Sequence, residues 1–335
     1  MTNAHSFPLF KLPKEEQIRV LRNTKSYTNI YLSFLSKRGK ALIKSLQLKT
    51  DPIFLKIDST LELIGFFSIT FYFSAPDVSA RMLSTPKNVK CLVLDDELEY
   101  YHYMNLNMEL KDWIDHMLFI YNQHKLLFIG FHIGSERFDL EAIKNAMPSF
   151  EKIIIAGNLN LTSTNAIINK FPHTDGLCVD IKVFNGPQLN NRKRFMENFG
   201  ILELTDFSDA FSDPMDLNSL LICNAKDLGI DNSALSEKEV NRFLKLWVKG
   251  ANSRLEFIYI QFSQFQVSME AIIKGFNCQN VNTAEQFTFK NQVYNKSEST
   301  RTLAMFDIYR HDGIKGTIVF RDVEGLIMDF LVYHK

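Results

Sequence analysis

From Phe7 to Leu46 the chain reads as a short extended lead-in and three small helices, whose apolar faces exceed what so short a stretch can bury by itself. A residue that precedes proline avoids helical angles, so Phe7, Pro8, Leu9 and Leu12 stay extended up to Pro13. Pro13 suits the first helical position, where no amide donor is needed. Lys14, Glu15 and Glu16 follow, with both acids near the positive end of the helix, and Ile18, Val20 and Leu21 form its apolar side. Ser26 or Thr28 is expected to cap a second helix that carries Ile30, Leu32 and Leu35. Ser36 is expected to cap a third, with Leu42, Ile43 and Leu46 at helical spacing. Domains below about 40 residues usually need a metal, a disulfide or a partner. The stretch contains no cysteine and no cluster of metal ligands. Another surface is therefore expected to cover these faces, which is the behaviour of a docking module. The alternative is a helical hairpin that belongs to the main core.

Charge sharpens that expectation. The whole chain of 335 residues carries a formal net charge of +0, so no global field favours nucleic acid or membrane. The first fifty residues hold ten lysines and arginines against only Glu15 and Glu16. A basic face of this kind can bind phosphate or an acidic protein partner, or can simply be solvated. With 46% hydrophobic and 23% charged residues the chain is globular. Cys91, Cys178, Cys223 and Cys278 are far apart, which suits buried thiols in a reducing compartment. No signal peptide and no apolar run of about 18 residues is present, so the expected location is cytoplasmic or nuclear.

Beyond Lys49-Thr50-Asp51-Pro52, aromatic and β-branched residues predict strands at Ile53–Ile57, within Leu61–Ser74 and at Val89–Leu94. Met108–Tyr121 then shows helical spacing of Leu110, Trp113, Ile114, Met117 and Leu118. From about residue 108 to 275 short strands alternate with helices, with strand centres near Leu127, Ile154, Val179, Leu202, Ile222 and Ile258. Most gaps fall near the 20–29 residues of a strand-plus-helix solenoid repeat. A sheet wound by right-handed crossovers fits the same alternation. Ser236 with Glu239 forms a capping-box pattern ahead of Val240, Phe243, Leu244 and Trp247, and Gly250 marks the stop. Thr302–Arg310, Lys315–Arg321 and Leu326–Tyr333 return to strand alternation as a three-stranded meander.

Two resemblances follow from these residues. The ordered set Phe7-Pro8-Leu9, Leu12-Pro13, Ile18, Val20-Leu21, Leu32-Ser33-Phe34-Leu35-Ser36-Lys37-Arg38 and Leu42-Ile43 resembles an F-box over residues 5–48, in the version common in the expanded nematode families. It lacks the aromatic residue that the broader pattern places after the third helix. The block from Asn241 to Glu256 is similar to the signature of the type 2 F-box-associated domain, and Asp307–Gly313 fits as well. Ser253 stands where proline is more usual. This second resemblance covers most of residues 50–335. Leu220-x-Ile222-x-Asn224-x-x-x-Leu228-x-Ile230 resembles a leucine-rich-repeat strand. The fold expected is thus mixed α/β: a three-helix F-box, then an irregular leucine-rich-repeat-like strand/helix solenoid over about 108–275, then a C-terminal antiparallel β meander over about 285–335.

An F-box implies docking onto a Skp-type adaptor and, through it, onto a cullin–RING ubiquitin ligase. The resemblance makes the chain a substrate-recognition subunit of an SCF-type ligase, with an unidentified target protein as second partner. A non-degradative protein-binding scaffold is the alternative. The adaptor contacts it implies are Phe7, Pro8, Leu9, Leu12, Pro13, Ile18, Val20, Leu21, Leu32, Leu35 and Leu42. No target-binding residue can be named. No catalytic motif is found, and no enzyme activity, cofactor, metal, nucleic acid or membrane partner is expected. His116, His124 and His132 are spaced by eight, and only the first two can share a helix. The acidic groups Asp95-Asp96-Glu97 and Asp206, Asp209, Asp213 lack the order of a calcium loop and read as solvated turns.

Overall fold

The computed structural model describes residues 8–48, 52–65, 69–74, 88–95, 98–104, 106, 108–156, 159–172, 174–180, 195–205, 215–263, 267–281, 287–290, 292–294, 302–323 and 325–334. The architecture is mixed α/β, in two compact units, Met1–Glu151 and Lys152–Lys335.

The first unit opens with three helices, α1 (Lys14–Arg22), α2 (Ser26–Leu35) and α3 (Lys37–Ser45). Pro13 sits one place earlier than expected, at the N-cap of α1. Neither Ser26 nor Thr28 caps α2: Lys25 takes that position, and no side chain accepts from the first turn. Ser36 does cap α3, its Oγ accepting from the Gly39 amide at 3.0 Å. Gly39 is required by close approach, since a Cβ there would stand 2.3 Å from the Leu32 carbonyl oxygen.

Strands β1 (Phe54–Ile57), β2 (Leu61–Gly65), β3 (Ile69–Ser74), β4 (Asn88–Asp95) and β5 (Leu98–Met104) form an antiparallel run. Helix α4 (Leu110–Ile120) then leads into β6 (Leu126–Phe131), which lies parallel to β1. Alternation puts Leu55, Ile57, Leu61, Leu63, Phe71 and Phe73 on the buried face, where Trp113 of α4 meets Phe71 at 5.4 Å and Phe73 at 5.7 Å. Helix α5 (Leu140–Ala146) follows, capped by Asp139. Strand β5 was not expected from the sequence.

The second unit is built on a ladder of parallel strands in sequence order: β7 (Phe150–Ile155), β8 (Gly176–Asp180), β9 (Ile201–Thr205), β10 (Asp227–Ser233) and β11 (Phe257–Phe262). The register aligns Ile153, Leu177, Leu202, Leu228 and Ile258 into one buried rung. Antiparallel β17 (Leu326–Tyr333), β16 (Lys315–Asp322) and β15 (Thr302–Tyr309) continue that rung with Phe330, Ile318 and Phe306. The meander thus closes the ladder at β11, within two residues of the expected strand boundaries. A short β12 (Gln279–Asn280) pairs with β15, and β13 (Phe287–Phe289) with β14 (Gln292–Tyr294) makes a separate hairpin.

The intervening helices are α6 (Leu161–Lys170), α7 (Leu217–Ile222), α8 (Glu237–Val248) and α9 (Met269–Ile273). Helix α7 corrects one expectation. Leu220–Asn224 was read as a strand, but Asp216 caps a helical turn there by accepting from the Ser219 amide at 2.8 Å. The strand begins later, at Asp227, and only Leu228 and Ile230 of the leucine-rich-repeat pattern lie in it. A local cap outweighed short apolar periodicity, which does not separate strand from helix.

Helix α8 is the anchor of this unit. Its capping box is present, with the Ser236 amide donating to Glu239 Oε2 at 2.9 Å and the Glu239 amide to Ser236 Oγ at 3.3 Å. Phe243 and Trp247 are fully buried, and Trp247 meets Phe330 edge to face at 4.8 Å. Gly250 ends the helix at φ +106°. The rest of the Asn241–Glu256 block ties neighbouring helices down. Asn241 Nδ2 donates to the carbonyls of Ile272 and Lys274 at 2.6 and 2.9 Å, at the end of α9. Asn252 Nδ2 donates to Leu220 and Cys223 carbonyls at 3.2 and 2.9 Å, at the end of α7.

Candidate functional site

Among the described residues a concavity suited to a ligand or partner lies among the first three helices. The lead-in, expected to stay extended up to Pro13, instead forms a single 3-10 turn at Leu9–Lys11, in which the Lys11 amide donates to the Pro8 carbonyl at 2.9 Å. Gln17, itself buried, donates from Nε2 to the Leu12 carbonyl at 2.6 Å and holds the lead-in against α1. Asn29 is buried too, and its Nδ2 donates to the Leu21 carbonyl at 3.0 Å, fixing the end of α1 to α2. Between these braces opens a groove of about 850 Å³. Pro8, Leu9, Phe10 and Lys11 form one wall, Val20, Leu21 and Thr24 the base, and Thr28, Tyr31, Leu32 and Leu35 the other wall.

Helix α2 is fixed from behind. Phe34 stacks on His116 at 3.9 Å and lies 4.8 Å from Trp113, both on α4. Ser33 Oγ lies 2.8 Å from His116 Nε2. Ser33 Oγ also donates to the Ile30 carbonyl at 2.6 Å, so it joins the imidazole to the α2 backbone. Burial, reinforced by the charge of Lys40, pushes the His116 pKa down to about 3. The imidazole is therefore neutral and structural near pH 7. Lys40 and Lys44 of α3 lie over the Phe119 ring at 4.7 and 3.9 Å. Helices α2 and α3 thus stand on α4, and Leu35 of α2 points away from that seam into the open.

The expected contact residues divide accordingly. Pro8, Leu9, Val20, Leu21, Leu32 and Leu35 line the groove together. Leu35 is 76% exposed, the most exposed of the large apolar side chains among the described residues. Leu12, Pro13 and Ile18 are at least partly exposed but do not line it, and Leu42 is buried beneath α3. Phe7 lies outside the described residues. Phe10, Lys11, Thr24, Thr28 and Tyr31 line the groove as well and are not among the expected contacts. Tyr31 and Thr28 lie one and two turns before Leu35 on the same helix stripe, so the periodicity of α2 points to them. The braces Gln17 and Asn29 gave no sequence signal, because a buried amide looks like any surface amide until its carbonyl partner is known.

Among the described residues other candidate chemistry does not assemble. Burial pushes the thiols of Cys91 and Cys178 up to about 12 and that of Cys223 up to about 11, so they stay protonated. His116 is committed to Ser33, His124 is exposed and His132 is half-buried on another element. Among the described residues no group of three or more histidine, cysteine or acidic side chains could hold a metal ion. Asp96, Glu97 and residues 206–214 lie outside the described residues. No helix among the described residues is long and apolar enough to cross a membrane.

With this geometry in place, comparison with known proteins is informative for the second unit. The model of the F-box associated family matches residues 190–260, the segment that runs from before β9 into β11. The match supports an F-box-associated family member. The matched segment contains the Trp247 anchor, the capping box and the two asparagines that tie α7 and α9, so the family pattern coincides with the packing centre of the ladder. The chain is also 23% identical, over 335 positions and 98% of each chain, to the F-box associated domain-containing protein sdz-33 of Caenorhabditis elegans. No solved structure matches.

Proposed function

We propose that this chain is a substrate-recognition subunit of an SCF-type ubiquitin ligase. The groove built by the lead-in, α1 and α2 receives a Skp-type adaptor, and the F-box-associated domain presents a target protein. The observation that carries this reading is the open apolar groove with Leu35 standing out of it, on a helix, α2, whose inner face is already occupied by α4. An apolar concavity of this size on a basic helical module is suited to a desolvated anchor from a partner protein. The F-box-like order of residues in α1–α3 and the F-box-associated domain that follows support the same assignment. In this reading the chain is not an enzyme. The ligase supplies the chemistry, and the receptor supplies proximity.

Co-purification with a recombinant Skp-type adaptor tests the proposal. The full chain is expected to retain the adaptor, and Leu9→Asp with Leu35→Asp is expected to abolish retention without moving the thermal unfolding midpoint. Undiminished retention by that variant would overturn the assignment of the groove.

A further inference from the structure

The groove has a charged rim as well as apolar walls, and the rim specifies its occupant further. Among residues 8–48 the only carboxylates are Glu15 and Glu16, both in the first turn of α1, and Glu16 is taken by Arg19 at 3.3 Å. None of the groove-lining residues is acidic. Lys11 lines the groove directly. Arg38 comes to it from α3: its guanidinium lies 4.9 Å over the Phe10 ring, and Nη2 donates to the Phe10 carbonyl at 3.1 Å. Among the described residues neither cation meets a carboxylate. Two uncompensated cations thus flank an apolar concavity, where low-dielectric walls strengthen their field at close range.

Resting on the reading of this groove as the adaptor site, we infer that its occupant is a protein segment with a large apolar anchor flanked by carboxylates, the anchor seated between Leu9, Leu32 and Leu35 and the carboxylates on Lys11 and Arg38. A second copy of this chain does not fit, because a two-fold contact through this face would bring like charges together. A nucleic acid would engage the cations but leave the leucine and proline walls unfilled, since a phosphate backbone has nothing to place there. An acidic, apolar-tipped segment satisfies both features. The apolar part sets the dissociation rate, and the rim sets the association rate and its salt dependence.

The test measures binding of a recombinant Skp-type adaptor to the full chain between about 0.05 M and about 0.5 M NaCl, a range over which the Debye length falls from roughly 14 to roughly 4 Å. Wild-type affinity is expected to fall about tenfold across this range, mostly through the association rate. Lys11→Glu with Arg38→Glu is expected to weaken binding by at least tenfold at low salt and to converge on wild type at high salt. Leu35→Ala is expected to weaken it by a similar factor at every salt. Because Arg38 also holds the Phe10 carbonyl, Lys11→Glu alone serves as the second variant, with about half the logarithmic effect. Tight binding that ignores both salt and charge reversal would overturn the charged rim and leave the adaptor site standing. Absence of binding by the wild-type chain would overturn both. Displacement of the adaptor by a single-stranded oligonucleotide at low salt would overturn the choice of a protein occupant.

Discussion

The α1–α3 module and the parallel ladder of the second unit solve the same problem in opposite ways. In the ladder, the rung from Ile153 through Leu177, Leu202, Leu228 and Ile258 runs on into the β meander through Phe330 and Ile318, and every one of these side chains is buried. Each strand–helix unit is too small to close a core, and its neighbour closes it. In α1–α3 only the inner side is closed, by Phe34 on α4 and by Ile30 and Ile43. Leu35 stands 76% exposed at the edge of the groove. Successive strands of the ladder cover one another's apolar side chains, whereas the short α1–α3 module leaves Leu35 exposed.

Three substitutions would break or sharpen that contrast. The largest effect is expected in the closed region: Trp247→Ala removes a fully buried ring and its edge contact with Phe330, and should cost about 3–5 kcal/mol in urea unfolding of the second unit. A loss below about 1 kcal/mol would mean that the ladder does not depend on α8. The second effect concerns the inner seam of the module. His116 has its pKa pushed down to about 3 in the folded chain, from near 6.5 when unfolded. Below pH 6.5 the unfolded chain binds the proton more readily, so stability is complete above that pH and is lost as pH falls toward 3. Up to about 2 kcal/mol should disappear between pH 7 and pH 5, and His116→Gln, which cannot titrate, should lack that slope in urea midpoints. An unchanged slope would remove His116 from the seam. The smallest effect on folding is expected in the open region. Leu35→Ala should change stability by less than about 0.5 kcal/mol while weakening adaptor binding. A loss of folding stability above about 2 kcal/mol would show that Leu35 belongs to the core, and the contrast would fail.

How much could be read in advance depended on range. The α8 helix, its Ser236 cap, the Gly250 stop and the three meander strands carry their signals within a few residues of themselves, and the structure places them where those signals lie. The short run Leu220–Asn224 was misread because its apolar pattern suits either element and the deciding group, the Asp216 carboxylate, lies outside it. For the groove, six expected residues converge, and Leu42, which shares their periodicity, turns inward. Helical spacing says which residues share a stripe. It does not say which stripe another element covers, and Phe34 on Trp113 and His116 decides that.

The order of caps, prolines and apolar repeats therefore determined most of the described elements and their sequence, β5 and α7 excepted, and the number of apolar side chains at the start of the chain. Which of those faces stays open was settled only when α4 took the inner side of α2, and when Gln17 and Asn29 pinned carbonyls five and eight residues away. The reason is physical. Local hydrogen bonds and backbone preferences act over a few residues and are written into them, whereas burial is a competition among surfaces that meet only once the chain has folded.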